Sequence, residues 1–358
     1  MAWDSWVNWR NAVLSNARFQ HHAARFWPSR PIARRHARRL FDLVAGFTYS
    51  QTLFACVQID LFTRLAAGPA TMTQIGDAAG LPPPATERLM RAAAAIGLVE
   101  LLQGHRVALG VAGAALAGNP GVIAMIAHHH LLYADLADPV ALLRRGGGGG
   151  ALEGFWAYSR TSGPEAVAGY SALMAASHRS VAAQVLDAYD VARHRRLLDI
   201  GGGDGVFLDE VGRRAPRLKL GLVDLPAVVA RAGERLGDRI ALHGGDFLVD
   251  PLPSGYDCVT LIRVLHDHDD AAALALLRAI HTALPPGGRL LIGEPMAGIP
   301  GAEPVGATYF GLYLLAMGSG RGRSPEEIGT LLTEAGFGRY RQLATSLPLT
   351  AGAILAYP

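Results

Sequence analysis

Residues 197–205 read LLDIGGGDG. An apolar run that ends in an acid and passes straight into a glycine cluster marks a buried strand entering a tight turn. The helical pattern VFLDEVGRRAP (206–216) follows. Outward from this junction the alternation repeats. KLGLVDL (219–225) reads as a second strand and PAVVARAGERL (226–236) as a second helix. RIALHGGDF (239–247), YDCVTLIRV (256–264) and RLLIGEP (289–295) supply three more strands, with the helix DDAAALALLRAIHTAL (269–284) before the last. Strand–helix alternation predicts an α/β domain with a mostly parallel, doubly wound sheet. Ligands of such sheets lie beyond the carboxyl ends of the strands, where the strand order reverses. Asp199, Asp224, Asp246, His266 and Glu294 all fall at such ends, so that edge reads as a site.

At 358 residues the chain is long for one domain, and half of it is hydrophobic, enough for a large core. Residues 40–117 read helical and alanine-rich. TMTQIGDAAGLPPPATERLMRAAAAIGLVELLQGHRVAL (71–109) has the helix–turn–helix–hairpin order of a winged helix. Its second helix is spent on alanine and has few side chains that could reach base edges, so packing or dimerisation is expected there and nucleic acid is not. Gly146–Gly150 are consecutive glycines, expected to form a flexible surface loop. The helical pattern resumes beyond them, which places the seam near residue 180: an arm over 1–39, a helical winged-helix domain over 40–180 and the α/β domain over 181–358. His128, His129 and His130 are adjacent, point in different directions on a helix and have no acid or thiol at ligand spacing, so no metal is expected.

Two cysteines, Cys56 and Cys258, exclude a disulfide framework and fit a reducing cytoplasm. No apolar run looks long enough to cross a bilayer uninterrupted, and MAWDSWVNWR has no secretory apolar core. The net charge of +3 is uneven: eight arginines lie between Arg10 and Arg39, interleaved with Trp27 and Phe26 and preceded by Trp3, Trp6 and Trp9. This composition fits a solvated arm packed on a partner subunit, then a helix at a membrane interface, then a nucleic-acid arm, in that order.

Gly201, Gly203 and Gly205 give G-x-G-x-G, with Val206 where a dinucleotide turn needs its third glycine and Asp204 at the helix start. An acid there repels a pyrophosphate and favours a cationic ligand. Asp224 is placed to accept ribose hydroxyls, and Asp246 with Phe247 to bind and cover an adenine. An adenosine carrying a positive charge fits this set.

LLDIGGGDG, GLVDLP, GGDF, RVLHDHDD and LPPGGRLLIGEP resemble, in order and spacing, the class I S-adenosylmethionine O-methyltransferases of the plant caffeate and bacterial type. The resemblance covers the chain from about residue 40. It implies a Rossmann-like methyltransferase domain after a winged-helix dimerisation domain, a homodimer, and S-adenosylmethionine as cofactor. It also implies that Asp199, Gly201 and Gly203 surround the methionine part, Asp224 and Leu225 the ribose, Asp246 and Phe247 the adenine, and that His266 is the general base with Glu294 orienting it. Three longer stretches, RPIARRHARRLFDLVAGFTYSQTLFACV (30–57), NPGVIAMIAHHHLLYADLADPVALLR (119–144) and EPMAGIPGAEPVGATYFGLYLLAMGSGRGRS (294–324), are similar to the carotenoid O-methyltransferases of purple photosynthetic bacteria, which act on the C-1 tertiary hydroxyl of demethylspheroidene or hydroxyneurosporene. A hydrophobic small-molecule acceptor, and peripheral contact of a cytoplasmic enzyme with the inner membrane, would follow. A phenolic or polyketide acceptor is the second expectation, and a winged-helix regulator that kept a cofactor domain the third.

The chain departs from that pattern twice. The second acid that orients the histidine in plant-type relatives falls at Gly322, leaving Asp267, Asp269 or Glu294 alone for the task. The cofactor-contacting lysine falls at Ile262, with Arg263 beside it as the expected substitute.

Overall fold

The computed structural model describes residues 2–161 and 178–358. Its backbone divides into two compact units, Met1–Gly118 and Asn119–Pro358.

In the first unit, helices Ala2–Ser15 and Ala17–Arg25 precede the long helix Arg30–Gln58. Residue 39 falls inside that helix, so the arm has no structural end there. This helix is long and apolar enough to cross a membrane by length and composition, which corrects the expectation that no run is. Only Cys56 of the helix is buried, and Leu40, Phe41, Leu43, Val44 and Phe47 all stand exposed. The winged-helix segment is as expected. A capping box of Thr71 and Gln74 starts helix Met72–Ala79, left-handed Gly80 ends it, and Pro83–Ala95 follows. Strands β1 (Ala70–Thr71), β2 (Val99–Leu102) and β3 (Arg106–Leu109) form the wing in the order β1-β3-β2, and Leu61, Phe62, Ile75, Met90 and Val107 are buried beneath.

In the second unit, β4 (Arg196–Ile200), β5 (Lys219–Asp224), β6 (Ile240–Gly244), β7 (Cys258–Ile262) and β8 (Arg289–Glu294) are parallel. The sheet order is β6-β5-β4-β7-β8-β10-β9, so the chain reverses direction across the sheet between β4 and β7. Two strands were not expected: β9 (Arg339–Leu343) and β10 (Gly352–Tyr357), with β10 antiparallel to β8 and β9. Strand residues alternate between faces. Leu198, Ile200, Val259, Leu261 and Ile292 pack against helices Asp270–Ala283 and Pro325–Glu334. Leu197, Leu222, Cys258, Ile262 and Leu291 pack on the other side against Phe207, Leu208 and Val211. Burial on both faces explains why these strands read as continuous apolar runs.

Helices Pro120–Asp135, Pro139–Arg144 and Ala151–Thr161 belong to this unit and not to the winged helix, so the seam expected near residue 180 lies within it. The reason is packing: Leu132, Leu142, Leu152 and Trp156 share a core with Tyr313, Leu314 and Met317 of helix Gly311–Met317. Much of the helical pattern at 165–189 lies outside the described residues; 178–188 are helical. The glycine run is a built turn. Gly148 N–H donates to the Leu315 carbonyl at 2.8 Å, and the Asp135 carboxylate accepts from Ala151 and Leu152 N–H at 2.7 and 2.9 Å.

Candidate active site

The carboxyl ends of β4 and β5 build one half of the site. Gly201 has φ +68°, and a Cβ there would lie 2.8 Å from a Val264 methyl, so only glycine suits this turn. Gly203 N–H donates to Asp224 Oδ2 at 2.8 Å, and Leu225 N–H to Asp224 Oδ1 at 2.7 Å. The Asp224 carboxylate is thereby fixed at the strand end, with lone pairs left for a diol. Burial raises its pKa, and those two N–H donors oppose the rise. Asp199 is fully buried. Thr260 Oγ1 donates to its Oδ1 at 2.6 Å, while Oδ2 has no partner among the described residues and faces the glycine turn, 2.4 Å from where a Gly202 Cβ would be. Burial pushes this carboxyl up to about 7, against the Thr260 hydrogen bond. A buried acceptor without a partner beside a glycine turn fits the amine of an amino-acid-bearing cofactor.

Asp246 is exposed and accepts from Leu248 N–H at 2.9 Å, shaping the turn after β6. Phe247 is half-buried, and His268 meets it edge-on with ring centroids 5.6 Å apart. Asp204 does not stand free for a cationic ligand. Arg231 Nη2 lies 3.2 Å from its Oδ1, so its charge is already engaged.

Beyond β7, His266 is buried, with its Nε2 3.1 Å from Asp267 Oδ1. Its Nδ1 has no partner among the described residues. Burial alone would lower this imidazole, but Asp267 and then Glu294 outweigh it, and its pKa stands above the ordinary value. Burial would raise Asp267, yet His266 holds it below the usual carboxylate range. Of the three expected orienters, Asp267 is the one on the ring. Glu294, fully buried, accepts the His266 backbone N–H on Oε2 at 3.0 Å and so holds the loop; its Oε1 has no partner among the described residues. Asp269 Oδ1 instead accepts Gly320 N–H at 3.0 Å. Arg263 has φ +58°, an uncommon backbone for a side chain of its size, and its charge acts on His266, Asp267, Tyr309 and Tyr313. The groups that its charge reaches lie on the base side of the site.

A cluster of aromatic groups adjoins the base. Phe310 stacks on the His266 ring, centroids 5.8 Å apart at 26°. Tyr309, Phe310 and Tyr313 come from a π-helical turn, Val305–Phe310, and the helix after it. A π turn carries an extra residue per turn and re-aims the side chains around it. His129 Nε2 shares a 2.7 Å hydrogen bond with the Tyr309 hydroxyl, and His128 packs against Phe155. Burial lowers the His128 imidazole to about 4, so it packs in this cluster as the neutral ring. Sequence reasoning missed this wall, having weighed the histidines only as metal ligands. It also missed His178, which is half-buried and within electrostatic reach of Arg263, Asp267 and His266.

Against known proteins, one family profile, an O-methyltransferase domain, matches residues 133–338, and another, an O-methyltransferase dimerisation domain, matches 41–111. The demethylspheroidene O-methyltransferase of Cereibacter sphaeroides is 42% identical over 355 residues, covering 96% of this chain and 93% of that one. The 3-hydroxy-5-methyl-1-naphthoate 3-O-methyltransferase of Streptomyces sahachiroi is 33% identical, covering 88% of this chain and 93% of its own. The structure of human N-acetylserotonin methyltransferase in complex with S-adenosylmethionine superimposes with a TM-score of 0.76 at 26% identity, covering 90% of this chain and 97% of that one.

Proposed function

The chain belongs to the S-adenosylmethionine-dependent O-methyltransferases that pair a dimerisation domain with a methyltransferase domain, and on that premise we propose that it methylates the C-1 tertiary hydroxyl of acyclic carotenoids of the demethylspheroidene or hydroxyneurosporene type. The observation that carries the chemistry is the buried His266, paired through Nε2 with Asp267 and set against the aromatic wall of Phe310 and Tyr309.

S-adenosylmethionine supplies an electrophilic methyl group on a sulfonium. The residues of this chain do the rest. Asp199 Oδ2 and Asp224 hold the amine and the ribose diol, Phe247 covers the adenine, and the glycine turn lets the backbone approach. Asp267 holds the proton of a neutral His266 ring on Nε2, which leaves Nδ1 as the nitrogen that accepts the hydroxyl proton. A tertiary alcohol is far less acidic than a phenol, whose pKa is about 10. Its proton therefore leaves as the carbon–oxygen bond forms, and the ring must be in place beforehand. Neutral histidines and tyrosines with raised pKa make this aromatic wall uncharged, which suits a polyene.

Purified protein given labelled S-adenosylmethionine and a panel of acyclic carotenols and phenols tests this. Label in the tertiary carotenols is expected. Label confined to phenols would overturn the acceptor and favour the second reading, which the naphthoate-methylating relative supports.

We also assign the basic arm to an anionic membrane surface. Residues 1–39 precede the segment matched by the dimerisation profile, and Trp3, Trp6, Trp9, Phe19, Phe26 and Trp27 are exposed among its arginines. Peripheral contact would bring a cytoplasmic enzyme to a lipid-dissolved substrate.

A further inference from the structure

We propose that Arg323 is a positioning residue for the base, holding His266 in place by clamping the backbone of its loop. The proposal rests on the reading of His266 as general base. The segment Gly318–Arg323 leaves the aromatic wall and runs along residues 265–270. Four consecutive loop carbonyls each accept from it. Arg323 Nη1 donates to Leu265 O at 2.9 Å, Arg321 N–H to His266 O at 2.9 Å, Ser319 Oγ to Asp267 O at 3.2 Å, and Arg323 Nη2 to His268 O at 2.7 Å. Asp270 Oδ1 accepts from Arg323 Nε and Nη2 at 2.9 and 2.7 Å. The approach is close: a Cβ on Gly320 would lie 2.1 Å from the His266 carbonyl oxygen.

Arg323 is 0% exposed, and burying a guanidinium is costly unless its donors are satisfied. Here they are spent on the loop that carries the base. The planar fork spans two carbonyls and a carboxylate at once, which a lysine ammonium cannot do. Glu294 holds the same loop from its N–H side, so His266 is fixed from both edges of its own backbone while Asp267 sets the ring. A misplacement of about 1 Å in a reacting geometry costs on the order of 10²-fold in rate.

The test is a cycle of Arg323→Gln, Arg323→Lys, His266→Ala and the double variant Arg323→Gln/His266→Ala, followed by kcat, acceptor KM, cofactor affinity and melting temperature. Arg323→Gln is expected to lower kcat by roughly 10- to 100-fold with cofactor affinity nearly unchanged, and Arg323→Lys to recover part of that loss. The double variant should be no slower than His266→Ala alone, because one action runs through the other. Losses that multiply in the double variant, or a wild-type kcat in Arg323→Gln, overturn the clamp. Should Arg323→Gln not fold, Arg323→Lys and Asp270→Asn carry the same cycle with milder changes. A wild-type kcat in His266→Ala alone would instead sink the reading of the base, and the clamp with it.

Discussion

The sharpest expectation concerns the pH dependence of cofactor binding. Asp199 is wholly buried, and its carboxyl is pushed up to about 7 from an ordinary 3.8, by burial first and by the charge of Asp224 last, against the hydrogen bond from Thr260. If Oδ2 meets the cofactor amine, the bound state holds the carboxylate ionised. Binding must then expel a proton below about pH 7, at about 1.4 kcal/mol per pH unit. Calorimetric titration should show affinity falling about tenfold from pH 8 to pH 6. Folding has the opposite sign. A carboxyl raised in the folded state contributes stability that is present below 3.8 and lost as pH rises through about 7. The empty protein therefore weakens over the window in which binding strengthens. Asp199→Asn should bind the cofactor more weakly by about 1–3 kcal/mol, the scale of a charged hydrogen bond. It should also lose this slope, while Asp224 and His266 keep whatever dependence they impose. Flat wild-type affinity across about pH 6 to 8, or an asparagine variant that keeps the slope, would refute the role of Oδ2.

Asp224→Ala should weaken S-adenosylmethionine binding by roughly 1–3 kcal/mol, read by calorimetry; unchanged affinity removes it from the site. His266→Ala should bind the cofactor nearly normally while single-turnover rates fall ~10²–10⁴-fold. Asp267→Asn should lower the His266 pKa, since Asp267 is the main group raising it, and so shift the acid limb of the rate profile to lower pH while reducing the maximal rate; an unmoved limb would detach Asp267 from the ring. Removing residues 1–39 should reduce binding to anionic vesicles, and equal binding would return the arm to a packing role.

The half of the site that could be read beforehand lies where chemistry follows directly from chain position. Leu197–Ile200 is buried on both faces, so it reads as a continuous apolar run, and the glycines after it leave only one kind of turn. Every carboxylate called for at a strand end is at that end because parallel strands all point one way. What escaped is what depends on partners far along the chain. Arg323 looks like a solvated residue in GSGRGRS, and nothing local reveals that Leu265 and Asp270 await it. Asp204 reads as a free acid because Arg231 lies a helix and a strand further on, within the helix Pro226–Leu236. Glu294 was expected on the imidazole, yet it accepts a backbone N–H, a distinction invisible in residue type. The seam was misjudged because helices Pro120–Asp135 and Ala151–Thr161 read as apolar as those before them; Tyr313, Leu314 and Met317, far along the chain, decide which core they join.

The fixed loop and the acidity of the acceptor belong to one problem. A phenol shares the work of deprotonation with its own ring, and a base that wanders still finds a partly ionised oxygen. A tertiary alcohol offers no such reserve, so the fraction of time that Nδ1 stands in line multiplies the rate directly. An imidazole on a mobile loop would also pair more loosely with Asp267, lose its tautomer and present the wrong nitrogen. The chain meets both demands with backbone contacts: Glu294 beneath the His266 N–H, and Arg323 and Arg321 on the carbonyls around it. Those contacts leave the ring itself free to change protonation, since none of them is made to an imidazole nitrogen. The loop is held through its backbone, while the ring is tuned chiefly by Asp267 on Nε2, with the charge of Glu294 adding to the rise.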